Sequence, residues 1–281
     1  MKSFVKGGAA ALAIIAASQV GADEDANLII NGETEITVRA DAPEHLDNVS
    51  TIYSGWVFRS DETQALQMDD FDNPGMIFVD QGRDSWVLAE GSEGKSCADC
   101  HNEPESLANV RPTYPKWNDE TEEVRTIAMQ INGCRTEQMG AEPWKYDSTS
   151  MLNMEALLSS VARGQVMNVA IDGPAQSMWE QGKELYYTRT GQLDLSCANC
   201  HEDNYGNYIR ADHLSQGQTN GFPVYRLKNA KLNGVHSRFK GCVRDTRAET
   251  YAVGSEEFIA LELYVASRGN GLSVEGPAVR N

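Results

Sequence analysis

The pentapeptide Cys-x-x-Cys-His occurs twice in this chain, as Cys97-Ala98-Asp99-Cys100-His101 and as Cys197-Ala198-Asn199-Cys200-His201, at an offset of 100 residues. The spacing has a chemical reason. Two thiols so placed add across the vinyl groups of a haem as thioethers, and the adjoining histidine is then positioned to bind the iron. A zinc site or a redox dithiol would use the same cysteines, but chance rarely produces even one such pentapeptide in a chain of this length. The expectation is two covalent haem c groups, attached through Cys97 and Cys100 and through Cys197 and Cys200, with His101 and His201 as iron ligands.

Of the six cysteines, Cys134 and Cys242 remain. Spare thiols tend to pair in an oxidising compartment, so a Cys134 to Cys242 disulfide is one reading. The other makes each an axial ligand or reactive sulfur of one haem, because each follows a haem motif in a Gly-Cys context near arginine. Gly133-Cys134-Arg135 and Gly241-Cys242-Val243-Arg244 match closely enough to favour iron ligation by both. Met139 and Met167 are the methionines that could serve instead, although isolated methionines are more often core filler.

The N-terminus points to export. Lys2 and Lys6 precede an apolar run from Ala9 to Ala17, and Val20-Gly21-Ala22 offers small residues for cleavage before Asp23. Residues 1–22 are expected to be a cleavable signal peptide and the mature chain periplasmic. The run is too short to span a bilayer, which takes roughly twenty apolar residues, and no later segment is apolar enough. The formal net charge of −17 deepens when the two lysines go. Such an acidic exterior argues against nucleic acid, and serves either solubility or docking of basic electron-transfer partners.

An internal repeat divides the chain. Phe78-Val79-Asp80-Gln81-Gly82-Arg83 matches Met178-Trp179-Glu180-Gln181-Gly182-Lys183 at the offset of the haem motifs. Leu157 to Gly164 resembles Leu261 to Gly269, and Asp172-Gly173-Pro174 and Glu275-Gly276-Pro277 follow. Met154, Leu157, Leu158 and Val161 recur at helical spacing, as do Phe258, Leu261, Tyr264 and Val265. Each half therefore starts and ends with an amphipathic helix bracketing a haem motif. The fold class expected is mainly α, with two class I cytochrome c-like domains in tandem, at 76–174 and 175–281. A further helix through Val124, Ile127, Ala128 and Ile131 would deliver Cys134. Phe222 to Arg238 reads as a long haem-covering loop with room for a hairpin.

Residues 23–75 read as an N-terminal extension with little regular structure, apart from a hairpin-like turn signal at Ile29-Ile30-Asn31-Gly32. Ser54-Gly55, Glu62-Thr63-Gln64-Ala65 and Asp69-Asp70-Phe71-Asp72-Asn73-Pro74-Gly75-Met76 resemble the N-terminal signature of the SoxA family of dihaem cytochrome subunits. The two haem motifs and Phe239-Lys240-Gly241-Cys242-Val243-Arg244 fit the same family.

That resemblance implies the catalytic half of a periplasmic SoxAX complex, an L-cysteine S-thiosulfotransferase that begins thiosulfate oxidation. It implies a SoxX-like small cytochrome c subunit, the SoxYZ carrier protein, and a cytochrome c acceptor as partners. It makes Cys242 the active sulfur and haem ligand, and Arg238, four residues earlier, the substrate contact. Both haem motifs are present, as in the dihaem members.

Local charge agrees with this. Arg238, Lys240, Arg244 and Arg247 cluster around Cys242 in a strongly acidic chain, where they would lower the thiol pKa and attract a small dianion such as thiosulfate. Salt bridges to Asp245 and Glu249, or haem propionates, would also use them. His213 and His236 are weaker candidates for iron or proton traffic, and His45 carries no signal. Two other functions fit less well: a plain dihaem electron carrier, in which both spare cysteines only ligate, and a dihaem peroxidase, for which no acid-base residue stands out.

Overall fold

The computed structural model describes residues 27–281, so the proposed signal peptide lies outside the described residues. The chain starts with β1 (Leu28–Ile30) and β2 (Thr34–Ile36), an antiparallel hairpin closed at Asn31-Gly32, where both residues have positive φ as the turn signal there requires. A second hairpin pairs β3 (Arg39–Asp41) with β4 (Thr51–Tyr53), and α1 (Asp61–Met68) follows.

The expectation of little regular structure in this extension is corrected. Its strands are only three residues long, too short for a periodicity to be read. They are fixed by packing instead. Leu28, Ile30, Ile36, Val38, Trp56, Val57 and Phe58 form a core of their own.

The first half runs through α2 (Met76–Trp86), α3 (Cys97–His101), a hairpin of β5 (Lys116–Asn118) with β6 (Glu123–Arg125), α4 (Ile127–Gly133) and α5 (Thr149–Val161). The helix expected from Val124 begins later. Val124 lies in β6, and Thr126 caps α4 by accepting a hydrogen bond from the Met129 amide. From Cys134 to Gln138 the helix widens into a π turn, so Cys134 stands at a helical irregularity of the kind that favours functional sites.

The second half contains α6 (Gln176–Tyr187), α7 (Cys197–His201), a small hairpin of β7 (Tyr208–Ile209) with β8 (Asp212–His213), then β9 (Val224–Arg226) and β10 (Lys231–Asn233). It ends with α8 (Val235–Asp245), α9 (Glu256–Ser267) and β11 (Ala278–Arg280). The hairpin anticipated in the 222–238 loop is β9–β10, and β11 adds to it in parallel on the other side of β9.

The repeat glycines mark where the terminal helices of each half cross. A Cβ at Gly82 of α2 would lie 2.5 Å from the Asn153 carbonyl oxygen of α5, and one at Gly182 of α6 would lie 2.0 Å from the Ala260 oxygen of α9. Only glycine allows this approach of helix to backbone. The halves are not separate bodies. Val124, Ala162, Met167 and Val169 share one cluster with Ile259, Leu263, Ala266 and Val274, so Met167 is core.

The extension lies against the second half. Tyr53 N donates to Gln216 Oε1 at 2.9 Å, Ser54 Oγ to Glu275 Oε2 at 2.7 Å and Asn73 Nδ2 to the Pro277 carbonyl at 3.0 Å.

Candidate functional site

Each haem motif sits on a one-turn helix that the preceding serine fixes. Ser96 Oγ accepts from the Asp99 amide while Asp99 Oδ2 accepts from the Ser96 amide, and Ser196 and Asn199 repeat the exchange. This capping box holds the helix start, which an isolated five-residue helix could not maintain alone. The signal stands in the sequence as Ser-Cys-Ala-Asp and Ser-Cys-Ala-Asn.

His201 is held as a neutral imidazole in a fixed tautomer, the form a metal ligand needs. Its Nδ1 lies 2.7 Å from the Ser215 carbonyl oxygen, which can only accept, so Nδ1 carries the proton and Nε2 keeps its lone pair. Burial lowers its pKa to about 4, which keeps the ring neutral as a ligand must be. The backbone at Gly217 passes so close that a Cβ there would meet the ring at 3.0 Å. His101 is flanked by Trp86, with ring centroids 6.0 Å apart.

All six cysteines are free thiols, so the disulfide reading has no support. Burial raises the Cys97 and Cys134 thiols, and Cys134 stands close enough to the first motif to interact electrostatically with both Cys97 and Cys100. Cys242 has the same relation to Cys197 and Cys200. Each spare sulfur therefore accompanies the motif of its own half.

Among the described residues no three His, Cys, Asp or Glu side chains converge to hold a bare metal ion. A porphyrin, which supplies four ligands itself, asks the protein for only two. A histidine from the motif and a cysteine beside it match that need, and two thiols are at hand for thioethers. The residues fit haem c.

The two cysteine helices differ at the station one turn before the cysteine. Four residues before Cys134, Gln130 donates its amide to the sulfur at 3.8 Å. Four residues before Cys242, on the same face of α8, stands Arg238. Cys242 is the main influence raising the Arg238 pKa, and no carboxylate of the described residues makes an ion pair with Arg238. The second half thus pairs a thiol with an uncommitted guanidinium, whereas the first offers a neutral amide.

Two more arginines reach this region, and sequence reasoning missed both. Arg226 on β9 lies within electrostatic reach of Cys242 and Arg238, and Arg59 of the extension within reach of Arg238. Neither is near Cys242 in sequence. The weaker histidine candidates are occupied: His213 Nε2 meets the Gly206 carbonyl at 2.9 Å. His236 accepts from the Gly254 amide at 3.0 Å and faces Glu262 at 2.9 Å.

The SoxA/TsdA cytochrome c domain family matches residues 81–167 and 181–274. The L-cysteine S-thiosulfotransferase subunit SoxA of Rhodovulum sulfidophilum is 61% identical, covering 93% of this chain and 92% of that protein. The SoxA subunit of Pseudaminobacter salicylatoxidans is 49% identical over 91% of this chain and 90% of its own length. The crystal structure of SoxXA from P. pantotrophus superimposes with a TM-score of 0.89 at 55% identity, covering 92% of this chain and 99% of that one. With these likenesses running over nearly its whole length, the chain belongs to the SoxA family of c-type cytochrome subunits.

Proposed function

We propose that this chain is the catalytic subunit of a periplasmic L-cysteine S-thiosulfotransferase, coupling thiosulfate oxidatively to a cysteine thiol of a SoxYZ-type carrier. One observation carries the assignment of the site: Cys242 has an unpaired guanidinium, Arg238, one helical turn away, and Cys134 has Gln130 in its place. Residues 76–174 and 175–281 would form the two haem domains. Cys97, Cys100, His101 and Cys134 would hold one haem c, and Cys197, Cys200, His201 and Cys242 the other. A SoxX-like small cytochrome would complete the enzyme. Among the described residues no helix is long and apolar enough to cross a membrane.

Arg238 binds the thiosulfate dianion and presents its outer sulfur to Cys242. One sulfur–sulfur bond forms between the Cys242 thiolate and that sulfur, and two electrons are released. A haem c held by these residues would supply the one-electron acceptor chemistry, with a cytochrome c as the final acceptor. The carrier's cysteine thiolate then attacks the sulfur next to the sulfonate, its proton having passed to solvent. Cys242 leaves as thiolate, and the carrier keeps the –S–SO3 group.

Mass mapping of the Cys242 peptide, in holoprotein before and after oxidised turnover with thiosulfate, tests this. A persulfide or thiosulfate adduct confined to Cys242 is expected, and loss of it in Arg238→Gln. An unmodified thiol in both samples, with both haems in place, would leave a plain electron carrier.

A further inference from the structure

The helices that deliver the two spare cysteines start at one cavity. Ile127 opens α4 and Val235 and His236 open α8, and all three line a cavity of about 20 Å³ between the halves, room for a single water. Cys134 follows Ile127 by seven residues and Cys242 follows His236 by six, about 10 Å of helix in each case.

Much of the remaining lining is ionisable. Glu155 comes from α5, Glu262 from α9, Tyr146 and Asp147 from the segment ahead of α5, and Arg111 from the turn ahead of β5. His236 is fully buried. It stacks on Tyr146 with ring centroids 4.7 Å apart, accepts from the Gly254 amide on Nδ1 at 3.0 Å and sets Nε2 2.9 Å from Glu262 Oε2. Tyr146 donates to Thr126 Oγ1 at 2.7 Å, Asp147 accepts from Ser237 Oγ at 2.6 Å, and Arg111 donates to the Thr219 carbonyl at 3.5 Å. The Glu155 carboxyl makes no ion pair among the described residues.

Three carboxyls here face one guanidinium, so holding all of them as anions is costly. Glu155 is the carboxyl that gives way: burial, with Glu262 and Asp147 nearby, lifts it to about 8. The cysteine helices place iron-ligating sulfurs about 10 Å from the cavity wall. At an effective dielectric of about 20, a unit charge at that range changes an equilibrium by roughly tenfold.

We propose that Glu155 is a redox-linked proton site, which takes up one proton from solvent when an electron arrives at a haem and returns it when the electron leaves. The electron enters the iron and the proton the carboxylate, so the charge of the interior is unchanged. Without that proton, the electrons released by sulfur coupling would add negative charge to the core of a chain already at −17. The inference rests on the haem attachment proposed above and not on the sulfur chemistry.

Potentiometric titration of the holoprotein, read on the haem absorption bands from about pH 6 to about pH 10, tests it. In the parent, reduction of one or both haems becomes harder as pH rises through about 8, by roughly tenfold in the reduction constant between the two limits, or about 59 mV for a one-electron couple. Glu155→Gln, neutral at every pH and of the same shape, should hold the low-pH value throughout. Electrochemical reduction of the weakly buffered parent near pH 8 should also draw protons from an indicator dye, more than in the variant. Parent potentials that ignore pH, with both haems in place, overturn this inference only. A decline kept in full by Glu155→Gln overturns it too, and assigns the proton to a haem propionate. Holoprotein with a haem missing from either Cys-x-x-Cys-His, by mass, overturns the proposed attachment along with it.

Discussion

Gln130 and Arg238 hold equivalent stations, each one turn before its cysteine, a neutral amide in the first half and a guanidinium in the second. Arg238 was legible in the sequence as one of four cations around Cys242 that run against the charge of the chain, and the resemblance to the SoxA family singled it out among them; the part of Gln130 needed the structure. Arg226 and Arg59 were not legible, because electrostatic neighbourhood across β9 and the extension depends on long-range folding. His236 shows the opposite error. It lies close to Cys242 in sequence but is turned toward Arg111, Tyr146, Asp147, Glu155 and Glu262 around a small cavity between the halves. Glu155, whose carboxyl burial together with Glu262 and Asp147 lifts to about 8, should carry a proton there at neutral pH. An unfolded glutamate ionises near 4.5, so between these values the native state holds the extra proton. Stability is then greatest below the unfolded value and falls as pH rises toward about 8, by at most ~1.4 kcal/mol per pH unit. Thermal melts of holoprotein from about pH 5 to about pH 8 should show the decline, and Glu155→Gln should flatten it. An equally steep decline in the variant would place the titrating group elsewhere.

Helix α6 meets α9 through Gly182 as α2 meets α5 through Gly82, and the sequence repeat that flagged both glycines was reporting a packing contact. Gly182→Ala would drive a methyl against the Ala260 carbonyl oxygen, with Tyr264 Cβ at 2.9 Å closing the other side. Backbone cannot yield as a side-chain tip does, so a loss of about 2–4 kcal/mol is expected. Gly82→Ala meets the Asn153 oxygen at 2.5 Å and should cost less. Chemical denaturation of the holo forms ranks the two, and a smaller effect at Gly182 would contradict this account of the crossing. Elements with a long apolar period were readable for the same reason: α5 and α9 repeat their buried residues over several turns. The three-residue strands were not. β1–β2 could be anticipated from its Asn-Gly turn, whereas β3–β4 closes over a longer loop with no such turn signal and β11 pairs with β9 from a distant part of the chain.

The chain's two halves look independent in sequence and are joined in space. Val124, Ala162 and Met167 of the first share one buried cluster with Ile259, Leu263 and Val274 of the second, and the 273–281 segment threads between the halves and the extension. Ser273 N donates to the Thr37 carbonyl at 3.0 Å, Val279 N to Gln67 Oε1 at 3.1 Å, and the Gly164 amide to the Val274 carbonyl at 3.0 Å. No tandem-repeat argument could find this, because the repeat describes what the halves have in common and the joint uses what they do not. Its consequence is cooperative. With a common core and a terminal strand stitched into both neighbours, neither half can lose its packing while the other keeps its own. Heating the holoprotein should therefore give a single calorimetric transition, with van't Hoff and calorimetric enthalpies in agreement. Two resolved transitions, each releasing the spectral signature of one haem site, would mean that the halves fold as separate domains and that the shared cluster contributes little. The single transition also bears on chemistry, since Arg226 of β9 and Arg238 of α8 come within electrostatic reach of Cys242, and Arg59 of the extension within reach of Arg238, only while the whole assembly holds.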